Sequence, residues 1–316
     1  MLIANTYVGR GPTSDGSKLA LRKFSAVGTT YVAQLLRGGS QISLPIRLNY
    51  SKGQEGPQAW LHDNRTLLLA SNRTGHWEIL KQGIGERGAQ PLVAEANSTG
   101  RPTVTSDGRW ILYMVGPRSL DAAFYAGPVR LMRVSATGGT PVEVTRLRNS
   151  DELQCPRRAG SNCVLIRKSD AGTGIVLRSF DPFNGIGPEI MSYPIKPTDQ
   201  YMFALSESGT RVAITTKGTP QIKILSLVSG AVDVVTAGSA NDWNTIAWMP
   251  GDRGFVVSLA TPTGMMLLDI DLTGRTHILW DERGATRTWG VPSYDGRLLA
   301  ILNWTDDSNI WTVQGF

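Results

Sequence analysis

The sequence has little of several residue types on which common functional sites depend. Its 316 residues include two cysteines and three histidines, and no run of apolar residues approaches the length of a membrane span. Two cysteines are too few for a structural zinc site. The histidines, His62, His76 and His277, show neither H-x-x-H nor H-E-x-x-H spacing. The sequence therefore predicts no metal, no cofactor and no insertion into a membrane by this segment.

Charge is neither scarce nor concentrated. Lys and Arg number 32 against 26 acidic residues, which gives a net charge of +6, but the basic residues are scattered without a dense run. We therefore expect no nucleic-acid binding through this domain. The first residues lack a basic segment followed by a long apolar one, so we expect either a cytosolic protein or a segment of a longer precursor.

Three motifs that resemble functional sites are incomplete. Residues 83–88 match G-x-G-x-x-G by letter but precede a Pro-bearing strand rather than a helix. Residues 269–274 resemble the start of a calcium loop, yet Trp280 stands where the bidentate Glu is needed. No G-x-S-x-G elbow is present, which argues against a serine peptidase.

What the sequence does contain is a repeat. A small-residue turn followed by an apolar strand recurs seven times at intervals of roughly 43 to 51 residues, the period of a four-stranded propeller blade. No segment of helical length shows a 3.6-residue period. The repeat units begin near residues 6, 56, 100, 152, 200, 242 and 287.

These features predict an all-β protein, a seven-bladed β-propeller forming a single domain over residues 1–316. The last unit lacks a fourth strand, and an unpaired edge strand invites aggregation. We therefore expect residues 2–4 to complete the last blade by pairing antiparallel with residues 309–314.

Three stretches carry a resemblance to a known family: residues 153–165 with Leu-Gln-Cys-Pro-Arg, residues 180–190, and residues 307–316. The repeat resembles that of TolB-like propellers, and more closely the C-terminal propellers of acidobacterial-type winged-helix transcriptional regulators and protein kinases. The resemblance implies a bacterial, non-catalytic sensor or scaffold module in a signalling or regulatory protein. The Gly-His and Trp-Asp signature of WD repeats is absent, as are a winged helix and a kinase domain.

Cys155 and Cys163 flank a turn and are expected on adjacent strands of one blade. Cross-strand Cβ atoms lie within reach of a disulfide, so either a disulfide or a pair of free thiols fits. A disulfide would indicate an oxidising, periplasmic location, and free thiols a cytoplasmic one.

The candidate ligand-binding residues are aromatic and polar side chains predicted on the inner strands, around one mouth of the central channel. They are Trp60, Arg101, Gln154, Tyr201, Trp243, Arg287 and Trp289. Aromatic and Arg side chains are typical of binding hot spots, although inner-strand Trp residues also pack between blades. We expect a monomer that binds a protein or a small ligand there. The alternative is an enzyme, a polysaccharide lyase or glycan hydrolase that uses channel carboxylates.

Overall fold

The computed structural model describes residues 6–48, 53–117, 128–196, 198–238 and 242–314. Within these ranges the chain forms β-strands and two short 3-10 helices, Arg37–Gly39 and Pro250–Asp252. None of the helices in the described ranges has the length and apolar character needed to cross a membrane.

The first half of the strands runs as follows: β1 Thr6–Pro12, β2 Lys18–Leu36, β3 Gln41–Ile42, β4 Ile46–Arg47, β5 Glu55–Trp60, β6 Thr66–Ser71, β7 Glu78–Gly83, β8 Gln90–Pro91, β9 Ser98–Val104, β10 Trp110–Gly116, β11 Val129–Ser135, β12 Val142–Leu147 and β13 Glu152–Gln154.

The second half continues with β14 Cys163–Lys168, β15 Gly174–Asp181, β16 Gly185–Pro194, β17 Tyr201–Leu205, β18 Arg211–Thr216, β19 Gln221–Ser226, β20 Val232–Thr236, β21 Trp243–Trp248, β22 Gly254–Thr261, β23 Gly264–Asp271, β24 Thr276–Arg283, β25 Arg287–Pro292 and β26 Leu298–Gln314.

These strands form six antiparallel sheets, each a blade of the propeller. Blades I to V are consecutive four-stranded units, β5–β8, β9–β12, β13–β16, β17–β20 and β21–β24. Blade VI combines the two ends of the described chain, because β25 pairs with β26, β26 with β2, and β2 with β1, β3 and β4. The first strand of each blade lines the central channel.

The prediction of seven blades is wrong, because the units near residues 6 and 287 are two halves of blade VI. Strand β2 runs unbroken over 19 residues and pairs with the 17-residue β26 along its whole length. The turn at Asp15 joins β1 to β2 in a hairpin beyond the blade, and a local turn signal cannot distinguish that hairpin from a blade's inner turn.

The predicted closure of the ring is corrected with the blade count. Residues 309–314 of β26 pair with residues 23–18 of β2. Residues 2–4, which we expected at that position, lie outside the described residues. The ring is closed within blade VI. The C-terminal part of the chain supplies its two inner strands, β25 and β26, and the N-terminal part supplies the outer strands, β2 with β1, β3 and β4. Strand β4 pairs with β2 at Tyr31 and Val32 and is the outermost strand of the blade there.

The core lies between the blades. Seven clusters of buried side chains each join two neighbouring blades, and together they cover all six junctions of the ring. At the junction of blades VI and I, Val32 and Ala300 pack against Trp60 and Leu67. Burial of apolar side chains at about 25 cal/mol per Å² is the main force that holds the ring together. Each blade therefore depends on both neighbours.

The turn between the first and second strands of a blade is built by short polar side chains. In blade VI the Ser293 hydroxyl donates to the Asp295 carboxylate over 2.7 Å and accepts the Leu298 N–H over 3.0 Å. The same carboxylate accepts the Arg297 N–H, and Gly296 adopts a φ of 69°. Asp and Ser favour such turns because their side chains replace backbone hydrogen-bond partners. These turns define one face of the ring, here called the turn face.

Candidate functional site in the central channel

The inner strands β5, β9, β13, β17, β21 and β25 surround the channel and all run in one direction. They begin at the face opposite the turns, here called the start face, and end at the turn face. The pairing of β5, β9 and β21 with their second strands is interrupted by register shifts at Gln58, Arg101 and Asn244. Arg101 there has a φ of 50°, a conformation uncommon for a residue with a side chain. Such bulges redirect side chains near functional sites.

A cavity of about 430 Å³ occupies the channel and is lined by residues from all six inner strands. Its volume falls within the range of small-ligand pockets. The walls combine apolar side chains, with Pro57, Leu153, Ala247, Trp289 and Val291 among them, and neutral polar groups in similar measure. No carboxylate and no imidazole belongs to a described residue that lines it. Among the described lining residues, Arg157 is the only one with a charged side chain.

Arg157 crosses the channel at the turn face. It follows β13 of blade III, and its two Nη atoms donate to the backbone oxygens of Ser293 and Pro292 in blade VI, each over 2.8 Å. Blades III and VI are separated by two blades on either side, so they face each other across the axis. The Arg157 side chain therefore forms a floor beneath the cavity and a direct link across the ring.

The loop that carries Arg157 is fixed at its base. Cys155 and Cys163 form a disulfide, so the structure has the bridged form of the two alternatives. The N–H groups of Arg157 and Arg158 both donate to the backbone oxygen of Glu207 in blade IV, each over 3.0 Å. The floor is consequently held by contacts to blades III, IV and VI together.

An aromatic ring completes the floor, and a second ring supports it without lining the cavity. The Arg157 guanidinium lies 4.9 Å from the ring centroid of Tyr294, a cation–π distance. The His62 ring contacts the Tyr294 ring, with their centroids 4.1 Å apart. Burial raises the pKa of Tyr294 to about 12, against a smaller opposing effect of Arg157. The phenol therefore remains protonated at neutral pH.

Burial also shifts the pKa values of Arg157 and His62. It lowers the pKa of Arg157, an effect that Tyr294, Glu207 and Asp252 partly offset. It likewise lowers the pKa of His62, where the Asp107 charge opposes and the Arg157 charge adds to the shift. The buried Nε2 of His62 has no hydrogen-bond partner among the described residues. At neutral pH the floor thus carries one positive charge, on Arg157.

A second, smaller cavity of about 290 Å³ opens between blades III and IV at the start face. Glu152 and Tyr201, the first residues of β13 and β17, both line it. The Glu152 side chain is exposed to water in the cavity but surrounded by protein, and burial raises its pKa while Arg101 opposes the shift. Burial and the Glu152 charge raise the pKa of Tyr201. Lys168 lies 5.3 Å over the Tyr201 ring.

The described residues of the two cavities form no ready metal site. The described residues hold no group of three or more His, Cys, Asp or Glu side chains arranged to bind an ion. No protein-family model matches the sequence, and no curated protein sequence matches it. Comparison with solved structures is informative about the fold.

TolB from Acinetobacter baumannii superposes with a TM-score of 0.58 at 14% identity, covering 86% of this chain and 66% of that one. A putative TolB from Agrobacterium tumefaciens gives a TM-score of 0.65 at 13% identity, covering 89% of this chain and 99% of that one. The chain has the fold of a TolB-like β-propeller. An oligogalacturonate lyase in complex with manganese also superposes, with a TM-score of 0.50, 13% identity, and coverage of 92% and 76%.

In this TolB-like propeller the sequence-predicted site residues lie at two levels of the channel. Tyr201, Trp243 and Arg287 are the first residues of their strands and belong to the start face. Trp60 and Gln154 end theirs toward the turn face. These last two line the larger cavity with Trp289, while Tyr201 lines the smaller one and Arg101 contributes charge beside it.

Several of these side chains also have structural partners. The Trp60 and Trp243 side chains are fully buried, and their indole N–H groups donate to the backbone oxygens of Val291 and Thr219 over 2.8 and 2.7 Å. Trp289 donates to the backbone oxygen of Pro57 over 2.7 Å. The bonds of Trp60 and Trp289 link blades VI and I at the channel wall.

Gln154, Arg101 and Arg287 are held in similar ways. The Gln154 side chain reaches blade IV, where its amide donates to the backbone oxygen of Phe203 and accepts the backbone N–H of Leu205. Arg101 donates to the backbone oxygens of Asn149 and Asp151, which link blades II and III. The Arg287 guanidinium lies 5.4 Å over the Trp304 ring.

Sequence reasoning missed the floor residues Arg157 and Tyr294 and the mouth residue Glu152. A signal for Tyr294 was present, because its turn carries an aromatic residue where the turns at Ser14, Ser106 and Glu207 have small or charged ones. A signal for Arg157 was its position two residues after Cys155. Arg157 reaches blade VI because blades III and VI face each other in a ring of six blades. The sequence predicts seven blades, so this contact could not be foreseen.

Proposed function

We propose that this TolB-like propeller is a non-catalytic binding module that takes a protein segment or a small ligand into its central channel. The observation that supports the proposal is the lining of the larger cavity. All six inner strands contribute to it, yet its described lining residues include no carboxylate and no imidazole. General acid–base catalysis relies on such groups, whereas apolar walls with a few polar groups suffice for binding.

The rest of the proposal concerns context. The Cys155–Cys163 disulfide supports an oxidising, extracytoplasmic location, because thiols are kept reduced in the cytosol. The resemblance of the repeat to regulator and kinase propellers supports a role within a signalling or transcription-regulatory protein. We propose that the module acts as a monomer and contacts no nucleic acid.

A channel-filling substitution tests the binding role. Ala247 lines the cavity and is half-buried, so Ala247→Phe places a ring in the channel. Ala231, which precedes β20 on the outer side of blade IV, is exposed and provides the matched control Ala231→Phe. The three immobilised proteins are incubated with native extract, and retained peptides and small molecules are identified by mass spectrometry.

We expect at least one species to be retained by the wild type and by Ala231→Phe but lost from Ala247→Phe. If every retained species binds all three proteins equally, the channel is not the binding site. Thermal unfolding of each variant checks that a lost species reflects the filled channel and not a lost fold.

One observation favours a second candidate function, a propeller enzyme acting on a glycan. Glu152 combines a raised pKa with a cavity shared with Tyr201, and a raised pKa suits a general acid. Glycoside hydrolysis ordinarily needs a second carboxylate, and Asp199 also lines this cavity. Assays on anionic and neutral polysaccharides separate the two functions: turnover that Glu152→Gln abolishes would establish the enzyme.

A further inference from the structure

The floor of the larger cavity holds a half-buried cation, Arg157, that has no counter-ion among the described residues. No described carboxylate lies within ion-pair distance of Arg157, whose buried neighbours are backbone oxygens and the Tyr294 ring. Removing a charged group from water is costly unless it is paired. The nearest acidic influences, Glu207 and Asp252, act only at a distance. The positive charge at the end of the channel therefore has no direct ion-pair partner among the described residues.

Arg157 retains hydrogen-bonding capacity after its structural role is accounted for. A guanidinium has five N–H donors, and the bonds to Ser293 and Pro292 use two of them. Tyr294 lies beside it, and its hydroxyl makes no hydrogen bond with the described residues. A positive charge and a phenol O–H donor thus stand together among residues that line one cavity.

The charge of this floor restricts the kind of anion that fits. The described wall residues combine apolar side chains, Trp289, Leu153 and Val291 among them, with neutral polar groups, and they supply no further charge. A single carboxylate would neutralise Arg157. A phosphate dianion would leave one negative charge without a cation away from bulk water, which is unfavourable.

We propose that the channel floor is a carboxylate-binding site, at which a ligand with an otherwise uncharged body anchors one terminal carboxylate on Arg157 and Tyr294. The body would extend along the channel toward the start face. This inference rests on the proposed function and adds the chemical class of the ligand. A peptide C-terminus and a small organic acid share this chemistry.

The test compares ligands that differ only in the anionic group. A library of acetylated tripeptides is prepared once with free C-terminal carboxylates and once as the C-terminal amides. A matched set of phenylalkanoic acids and their amides forms the second arm, which distinguishes a small acid from a peptide terminus. Retention on the purified protein is measured by mass spectrometry, and affinities of the enriched species by titration calorimetry.

We expect the acids of one arm to bind the wild-type protein at least tenfold more tightly than the amides. Arg157→Lys should keep most of this preference, because it keeps the charge, whereas Arg157→Gln should reduce it to twofold or less. Tyr294→Phe removes one hydroxyl without altering the ring, and should weaken acids about threefold and amides little. It provides the test if Arg157→Gln does not fold.

Equal binding of acids and amides by the wild-type protein would overturn the carboxylate site. Persistence of the preference in Arg157→Gln, or retention of neither acids nor amides at millimolar concentration, would overturn it as well. A species lost from Ala247→Phe but carrying no carboxylate would overturn this inference alone and leave the binding module intact. Failure of that variant to change any retention would instead refute the binding module.

Discussion

Closure of the ring by β2 and β26 can be tested with two proline substitutions on one strand. Ala33 and Ala20 both lie on β2 and both pair with β26, opposite Leu299 and Thr312. Ala33 is 2% exposed and packs in the core between blades V and VI. Ala20 lies where β2 extends beyond the blade and pairs with β1 on its other side.

Ala33→Pro should cost about 3 to 5 kcal/mol of unfolding free energy. Proline removes a ladder hydrogen bond and its ring clashes with the neighbouring strand, and the orphaned buried carbonyl adds about 1 to 3 kcal/mol to the cost. With an unfolding entropy of about 2.1 cal/mol/K per residue, 1 kcal/mol shifts the midpoint of a chain this long by about 1.5 °C. We therefore expect Tm to fall by about 5 to 7 °C.

Ala20→Pro should lower Tm by less than about 1.5 °C, because the Ala20 N–H faces β1 and not β26, so the substitution disturbs only the β1–β2 hairpin outside the packed junctions. Both variants and the wild type are compared by differential scanning calorimetry, with urea unfolding as a second measure. Equal losses in the two variants would refute the separation between blade and extension. An unchanged Tm for Ala33→Pro would refute closure through this pairing.

Three further predictions concern groups around the channel. Replacement of Cys155 and Cys163 by Ser should lower the unfolding free energy by about 2.5 kcal/mol, as measured in urea, because a short closed loop is lost; an unchanged value would contradict this. Trp60→Phe should cost about 1 to 2 kcal/mol, since it leaves the Val291 oxygen without its indole donor. Burial lowers the pKa of His62, so the folded state binds this proton less tightly than the unfolded state. Stability should therefore fall as pH drops below about 6.5, and His62→Gln should flatten that dependence; an unaltered pH profile would show that another group is responsible.

The propeller class and most blade boundaries could be predicted from the sequence because short local patterns of turn and strand residues determine them. Each inner turn carries Asp, Ser or Gly beside an apolar strand, and blades I to V follow that order. The blade number could not be read in this way. Residues 28–36 and 298–304 are distant in sequence, and only their pairing shows that they belong to one sheet.

The candidate site was predictable to a lesser degree. Trp60, Gln154 and Trp289 were placed on inner strands by the repeat, and they do line the larger cavity. Arg157 lies in a loop whose length and composition are unremarkable, and its importance comes from reaching the opposite blade. Such a contact depends on the diameter of the ring, which is a property of the assembled fold and not of any segment.

The central claim is that the channel binds its ligand without transforming it. The most direct measurement is to incubate the purified protein with the species that Ala247→Phe fails to retain, and to follow that species by mass spectrometry over many hours. We predict saturable binding and recovery of the ligand at unchanged mass. Conversion to smaller or modified products, abolished by Glu152→Gln, would contradict the claim and establish a propeller enzyme.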